Sequence, residues 1–404
     1  MDYELAIQIE KKHNYKKCIL CLGIVFHLIS LMFFKYTNFL IGEISKITER
    51  SISLSIVLPI GISFYTFQGI SYLIDVYRGN VKAEKSLLRY SVYISMFEQL
   101  IAGPIVTYSQ IKRELYKKTL SKDIIIKGIQ TFVFGLGLKV LLANPLSKLF
   151  IEAQNIGFES ISTPFAWLAI IGFTLQIYFD FFGYSLMAIG LGKMLGFSIP
   201  KNFDFPYLSH SMSEFWRRWH ISLGNWFRDY IYIPLGGNKK GNFRTIFNLL
   251  IVWLLTGVWH GAGYNFILWG FVLFIIIAIE KLFLGKFLDK HKLIGRFYML
   301  ILIPISWAIF ATENINQLKV FLDRLFPIFT LNFSGLFDGD FIKYFTLYLP
   351  FVIIGIALCF KTPFRFLKKI KNKYVLNGLL FIIFIGSIYC MYKGYDDPFL
   401  YFRF

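Results

Sequence analysis

Residues 247–279 read FNLLIVWLLTGVWHGAGYNFILWGFVLFIIIAI, two apolar runs that meet at His260 and are loosened there by Gly257, Gly261 and Gly263. A helix needs about 20 apolar residues to cross a bilayer, so a run of this length, broken once by an ionisable ring among glycines, reads as a bent helix pair. From Phe247 to His260 a helix rises only about 20 Å, short of the roughly 30 Å of hydrocarbon, which puts His260 inside the slab at the apex of the bend. Basic residues flank the pair on both sides, Arg244 before it and Lys281 after it, as expected if the chain enters and leaves on one side. An imidazole at that depth is costly unless it works or is satisfied between helices.

Outward from this pair the chain stays apolar. Its 404 residues are 56% hydrophobic and 19% aromatic, with mean hydropathy +0.57, which excludes a set of soluble domains and a soluble head on one anchor. The runs are continuous rather than alternating, which excludes a transmembrane barrel and points to an all-α polytopic membrane protein of the cell membrane, read as a single domain over 1–404. Spans are expected at Cys18–Phe34, Leu54–Tyr77, Ile124–Ala143, Pro164–Gly190, the bent pair, Phe297–Phe310, Tyr344–Phe360 and Leu376–Tyr392. The net charge of +19 sits in short clusters between them, as the positive-inside rule requires, so it calls for no nucleic acid. Lys11–Lys17, Arg78–Arg89, Lys112–Lys127, Lys193–Arg244, Lys281–Arg296 and Lys361–Lys373 are then cytoplasmic, while Asn144–Thr163 and Ala311–Lys343 are on the far side. The parity holds if Tyr90–Tyr108, with its Gly103-Pro104 break, is re-entrant.

Residues 203–245 are different. Trp216, Trp219, Trp226, Tyr230 and Tyr232 crowd among arginines in a stretch too polar to span, which suits helices at or just below the cytoplasmic surface, with His220 entering from there. Arg217, Arg218, Arg228, Lys239, Lys240 and Arg244 form a basic rim for anionic lipid headgroups or for the phosphates of a soluble metabolite. No cleavable leader is evident: the opening MDYELAIQIEKKHNYKK leads straight into an apolar run. Cys18 and Cys21 form a CILC with no second pair, so no metal site is expected. GLGLK (135–139) and GLGKMLG (190–196) lack the context of a nucleotide fingerprint and read as close helix packing. No internal repeat of the transporter kind appears.

Of the six histidines, His13, His27, His210 and His291 lie near predicted ends or edges and suit interfacial positions. His260 is different: a neutral imidazole can take a proton from a hydroxyl near physiological pH, so general base is its natural role. Asp75, Gln99, Gln176, Asp180, Asn248 and Asn265 are the other polar groups inside spans. Asp180 either pairs with a cation or bonds helices together.

Longer strings carry a resemblance: FKYTNFL, LPIGISFYTFQGISYLIDVYRG, AGPIV, FDFFGYSLMAIGLGKMLGF, KNFDFPYLSHSMSEFWRRWHISLGNWFRDYIYIPLGG, LTGVWHGAGYNFILWG and a closing FLYFRF, from about Lys35 to the end. In this order they resemble the membrane-bound O-acyltransferase family, in the branch of the alginate O-acetylation membrane protein. The resemblance implies a helical bowl around a tunnel, with the family's near-invariant histidine at His260 and its second active-site histidine at His220. It also implies acyl transfer from a cytosolic thioester, here acetyl-CoA or an acyl carrier, to a hydroxyl on the other face. The acceptor it implies is a polysaccharide, reached directly or through an extracytoplasmic acetyltransferase-like partner. Trp216, Arg217, Arg218, Trp219, Asn225 and Asn265 are the candidate substrate contacts, and no bound cofactor is expected. The rivals are D-alanyl transfer toward teichoic acid from a carrier thioester, a transporter moving a proton through His260 and Asp180, and an inactive scaffold. Relatives usually carry further apolar segments ahead of KYTNF, so either a shortened form or a truncated reading frame is expected. The chain also departs from the usual pattern at Phe97-Glu98, at Leu186 after Ser185, and at Asn144.

Overall fold

The computed structural model describes residues 1–12, 14–50, 54, 56–100, 103–327, 339–370 and 372–394; His13, the closing FLYFRF and part of the Ala311–Lys343 loop lie outside them. All regular structure among the described residues is helical. In chain order the helices begin with α1 (Asp2–Lys11), α2 (Lys16–Thr48), α3 (Ile62–Arg78), α4 (Leu87–Ser95), α5 (Phe97–Leu100) and α6 (Tyr108–Tyr116). Next come α7 (Lys122–Ile156), α8 (Thr163–Met194), α9 (Met212–Arg218), α10 (Ile221–Phe227), α11 (Gly241–His260) and α12 (Tyr264–Lys290). The last are α13 (Lys292–Ala311), α14 (Ile315–Leu325), α15 (Asp340–Leu358), α16 (Lys361–Lys369) and α17 (Lys373–Tyr392). Eight of them, α2, α7, α8, α11, α12, α13, α15 and α17, are long and apolar enough to cross a bilayer, and the chain is a multi-pass membrane protein.

Several boundaries differ from expectation for identifiable reasons. No proline and no left-handed residue interrupts the helix after Phe34 until Glu49 turns left-handed (φ 53°), so α2 continues past the end of the apolar run and through KYTNF. The span expected at Leu54–Tyr77 is helical only from Ile62, and most of α3 is buried, which is why it reads as apolar without being a long spanning helix. α7 runs past the expected end at Ala143 because a π-helical stretch, Leu138–Ala143, admits Pro145, which lacks an N–H, without a break. α11 starts at Gly241, so it rises about 30 Å rather than 20 Å before His260; that equals the hydrocarbon thickness, and the expected short rise does not place His260 inside the slab. α12 continues through a π segment, Glu280–Leu284, into the stretch read as a cytoplasmic loop.

The described chain groups into two compact units. The first holds Met1–Ile129, Ala188–Lys201 and Ser222–Lys239. Its core joins Ala6 and Ile9 of α1 to Tyr72 and Leu73 of α3 and to the rings of Tyr90, Tyr93 and Tyr108. His27 is not at an edge: it is buried, with Nε2 2.9 Å from Asp2 Oδ1, while Tyr90 donates to Asp2 Oδ2 at 2.9 Å. Gly69 makes room for this, since a Cβ there would fall 2.5 Å from the His27 ring.

The second unit holds Gln130–Met187, Asn202–Ile221 and Lys240–Phe404. α7 and α8 approach backbone to backbone: a Cβ on Gly135 would lie 2.5 Å from the Gly183 carbonyl oxygen, so the GLGLK string is a packing motif. Asp180 pairs with a cation after all, Lys139 on the neighbouring helix, at 2.6 Å, with the carboxylate fully enclosed. α11 and α12 also cross at glycines. A Cβ on Gly257 would run into the Phe266 carbonyl oxygen, and one on Gly270 into that of Trp253.

Candidate active site

Both histidines belong to the second unit. His260 is the last residue of α11, where Gly261 turns the chain into extended backbone before α12 begins at Tyr264. Its ring is 7% exposed and is enclosed by three aromatic neighbours: Trp259 at 5.0 Å, Trp269 edge-on at 5.1 Å and Phe310 at 5.4 Å. Trp269 is held in turn, its Nε1–H donating to Ser306 Oγ at 3.0 Å. Asn265, read as a substrate contact, donates to the Phe310 carbonyl oxygen at 2.8 Å and ties the start of α12 to the end of α13. That bond fixes the backbone on two sides of His260.

His220 sits between α9 and α10 in left-handed backbone (φ 44°), a conformation that a non-glycine residue keeps only when its surroundings impose it. A short bracket does so: Asp204 N–H donates to the Arg218 carbonyl at 2.9 Å, and Ile221 N–H to the Asn202 carbonyl at 2.9 Å. The ring is fully buried, with Phe181 edge-on at 4.7 Å and Nδ1 3.2 Å from Asn202 Oδ1. Asn202 Oδ1 only accepts, so Nδ1 carries the hydrogen and the lone pair is on Nε2. Asn202 is itself oriented by Ser185, its Nδ2 lying 3.3 Å from Ser185 Oγ. Trp259 joins the two histidines, its ring 6.2 Å from His220 and 5.0 Å from His260.

Burial pushes the His220 imidazole down to about 3. An unfolded histidine titrates near 6.5, so below that pH the unfolded chain takes up a proton that the folded chain refuses. Stability is therefore unaffected by this group above about pH 6.5 and falls as pH drops from there toward 3. The predicted loss is about 2 kcal/mol between pH 7.5 and pH 5, to be read as a fall in thermal midpoint that a folded His220→Asn variant lacks.

Trp216 and Trp219 lie in an aromatic cluster with Trp253, Trp269 and Trp307, where Trp216 is 5.4 Å from Trp269 and Trp219 is 5.0 Å from Trp307. Arg218 is paired with Glu214 at 2.5 Å, and Arg217 is exposed. Asn225 is placed in the first unit, on a cavity of about 460 Å³ that it lines with Arg78, Lys201, Arg228 and Ser222. The bland expectation for His210 is replaced by a pairing with Glu214 at 2.5 Å and Asp289 at 2.8 Å.

Sequence reasoning missed Asn202, Trp259, Trp269, Phe310 and Glu280. Glu280 stands in IIIAIEKLFL and was legible as one carboxylate at the end of an apolar run. Buried, it receives Met212 N–H at 2.6 Å, Ser213 N–H at 2.8 Å, Ser213 Oγ–H at 2.7 Å and Tyr298 O–H at 3.2 Å. It thus satisfies the open amides that begin α9, the helix leading to His220. Glu280→Gln turns an amide NH₂ toward these donors and is predicted to cost roughly 1–3 kcal/mol, measured by thermal unfolding; unchanged stability would refute the anchoring role.

Residues 82–293 match the model of the membrane-bound O-acyltransferase family. The chain is 35% identical to the probable alginate O-acetylase AlgI of Pseudomonas putida, over 95% of this chain and 84% of that protein. It is 32% identical to the peptidoglycan O-acetyltransferase of Helicobacter pylori, over 79% of this chain and 67% of that one. A teichoic acid D-alanyltransferase of Bacillus subtilis is 28% identical, over 58% of this chain and 61% of its own length.

Proposed function

This chain belongs to the membrane-bound O-acyltransferase family, in its alginate O-acetylation branch, and from that premise we propose that it carries acetyl groups from a cytosolic thioester across the cell membrane to a polysaccharide hydroxyl. It is a membrane-bound O-acetyltransferase, and the relatives named for acting on alginate, peptidoglycan and teichoic acid support a polymer acceptor. They leave the transporter reading without support. The observation that carries the mechanism is the pairing of the two buried imidazoles across Trp259.

In this reading a nitrogen of His260 takes the proton of the acceptor hydroxyl as its oxygen attacks the thioester carbonyl. The carbon–sulfur bond breaks, and the thiolate leaves and regains a proton from the imidazolium. His220, held neutral and in one tautomer by Asn202, positions the reacting groups, and the tryptophans exclude the water that would hydrolyse the thioester. Basic side chains of the rim in the same unit as the histidines, Arg217, Arg218, Lys240 and Arg244, take the donor's phosphates in this reading. The acceptor is a sugar hydroxyl, or a side chain of an extracytoplasmic partner that passes the group on.

The test is a labelled acyl-transfer assay with the purified chain in proteoliposomes. Label from acetyl-CoA appearing on an enclosed polysaccharide supports the reading, with or without an added extracytoplasmic transferase. Label moving only from a D-alanyl carrier protein replaces it with D-alanyl transfer.

A further inference from the structure

We propose that the aromatic walls around His260 gauge the length of the acyl group, with Trp269 the wall that confines it to a short one. This rests on the reading of His260 as the base. A base must come within about 3 Å of the hydroxyl it serves, so the thioester carbonyl is held beside the imidazole and its acyl chain must fit among whatever surrounds that ring. Its aromatic neighbours include Trp259, Trp269 and Phe310, all within 5.4 Å between ring centres.

These walls are fixed rather than adaptable. Trp269 is 1% exposed, is hydrogen-bonded through its indole N–H to Ser306, and is backed by Trp307 at 6.2 Å and Trp216 at 5.4 Å. Swinging the indole aside would break that bond and disturb both neighbours. Phe310 packs on Trp269 at 5.2 Å, and its backbone is held by Asn265. A rigid aromatic wall accepts a methyl beside the carbonyl and resists each further methylene, because close-packed interiors do not stretch to admit extra volume. Trp269 comes from α12 rather than from the helix of either histidine, and it is the largest fully buried side chain among the described residues. Its removal opens the most space without touching a histidine's own backbone.

The experiment compares kcat/KM for acetyl-, butyryl-, hexanoyl- and octanoyl-CoA in the full chain, in Trp269→Ala, in Trp269→Phe and in Phe310→Leu. The unaltered chain is expected to favour acetyl. Trp269→Ala is expected to raise the butyryl-to-acetyl and hexanoyl-to-acetyl ratios at least tenfold, within the roughly 10–200-fold that one methylene is worth in such a pocket. Trp269→Phe should move them less. If the alanine variant fails to fold, the phenylalanine and Phe310→Leu variants decide, with a shift of at least threefold toward butyryl expected in one of them. Folded variants with an unshifted length profile would overturn the gauge, as would equal use of octanoyl and acetyl donors by the unaltered chain. His260→Ala, run alongside, separates the two ideas: retained transfer there defeats the base assignment, whereas its loss together with an unmoved length profile defeats the gauge alone.

Discussion

Replacing His260 with alanine is expected to reduce acetyl transfer by about 10²–10⁴-fold while leaving the amount of protein in the membrane unchanged. The ring ends α11 and is packed by Trp259, Trp269 and Phe310, so its loss leaves a small gap in an otherwise fixed aromatic cluster. The backbone around it is held independently by the Asn265 bond to Phe310 and by the glycine crossing of α11 and α12. Structure should therefore survive, and the loss should fall on the chemical step, with kcat reduced and KM for the donor little changed. The measurement is transfer of labelled acetyl in proteoliposomes, normalised to folded protein. His260→Gln keeps most of the volume but no proton-accepting nitrogen, so it should be equally inactive. Transfer persisting above a tenth of the original rate in both variants would remove His260 from the mechanism.

Gly257→Leu is expected to have the largest effect on folding. At Gly257 even a methyl group would collide with the Phe266 carbonyl oxygen, and at Gly270 it would collide with that of Trp253. These obstacles are backbone atoms, which cannot turn away as a side chain can. A leucine must therefore drive α11 and α12 apart, well beyond the usual overpacking cost of about 1–3 kcal/mol, and it does so less than one helical turn from His260. Both folded yield and transfer activity should collapse, and Gly257→Ala should lie in between. A Cβ on Gly42 in α2 would have nothing within 4 Å, so Gly42→Leu serves as the control and should stay within about 0.5 kcal/mol. If Gly257→Leu matched Gly42→Leu in a detergent thermal-shift measurement, the tight crossing would not be a structural requirement.

The class of fold was legible because apolar runs of spanning length are hard to mistake, and the turn at His260 because glycines cluster on both sides of it. The limits of the helices were harder to read. Hydropathy does not distinguish α3, buried in protein, from a lipid-facing span, and it does not show that a π stretch carries α7 past Pro145. Long-range partners were harder still. His27 has an apolar local context, and only the fold brings Asp2 to it. Asn202 lies in a string that was read as a resemblance yet had no evident role, because nothing local shows that it meets His220. Asp180 left two readings open, since its cation is on another helix.

That cation, Lys139, is a positive charge that the loop rule does not account for. Losing either partner alone strands the other in a medium of low polarisability, at a cost of roughly 3–5 kcal/mol, whereas exchanging both for apolar residues of like volume is close to neutral. Over generations the two codons therefore behave as one locus: neither drifts while the other stays, and a lineage that has abandoned one should be found to have abandoned both.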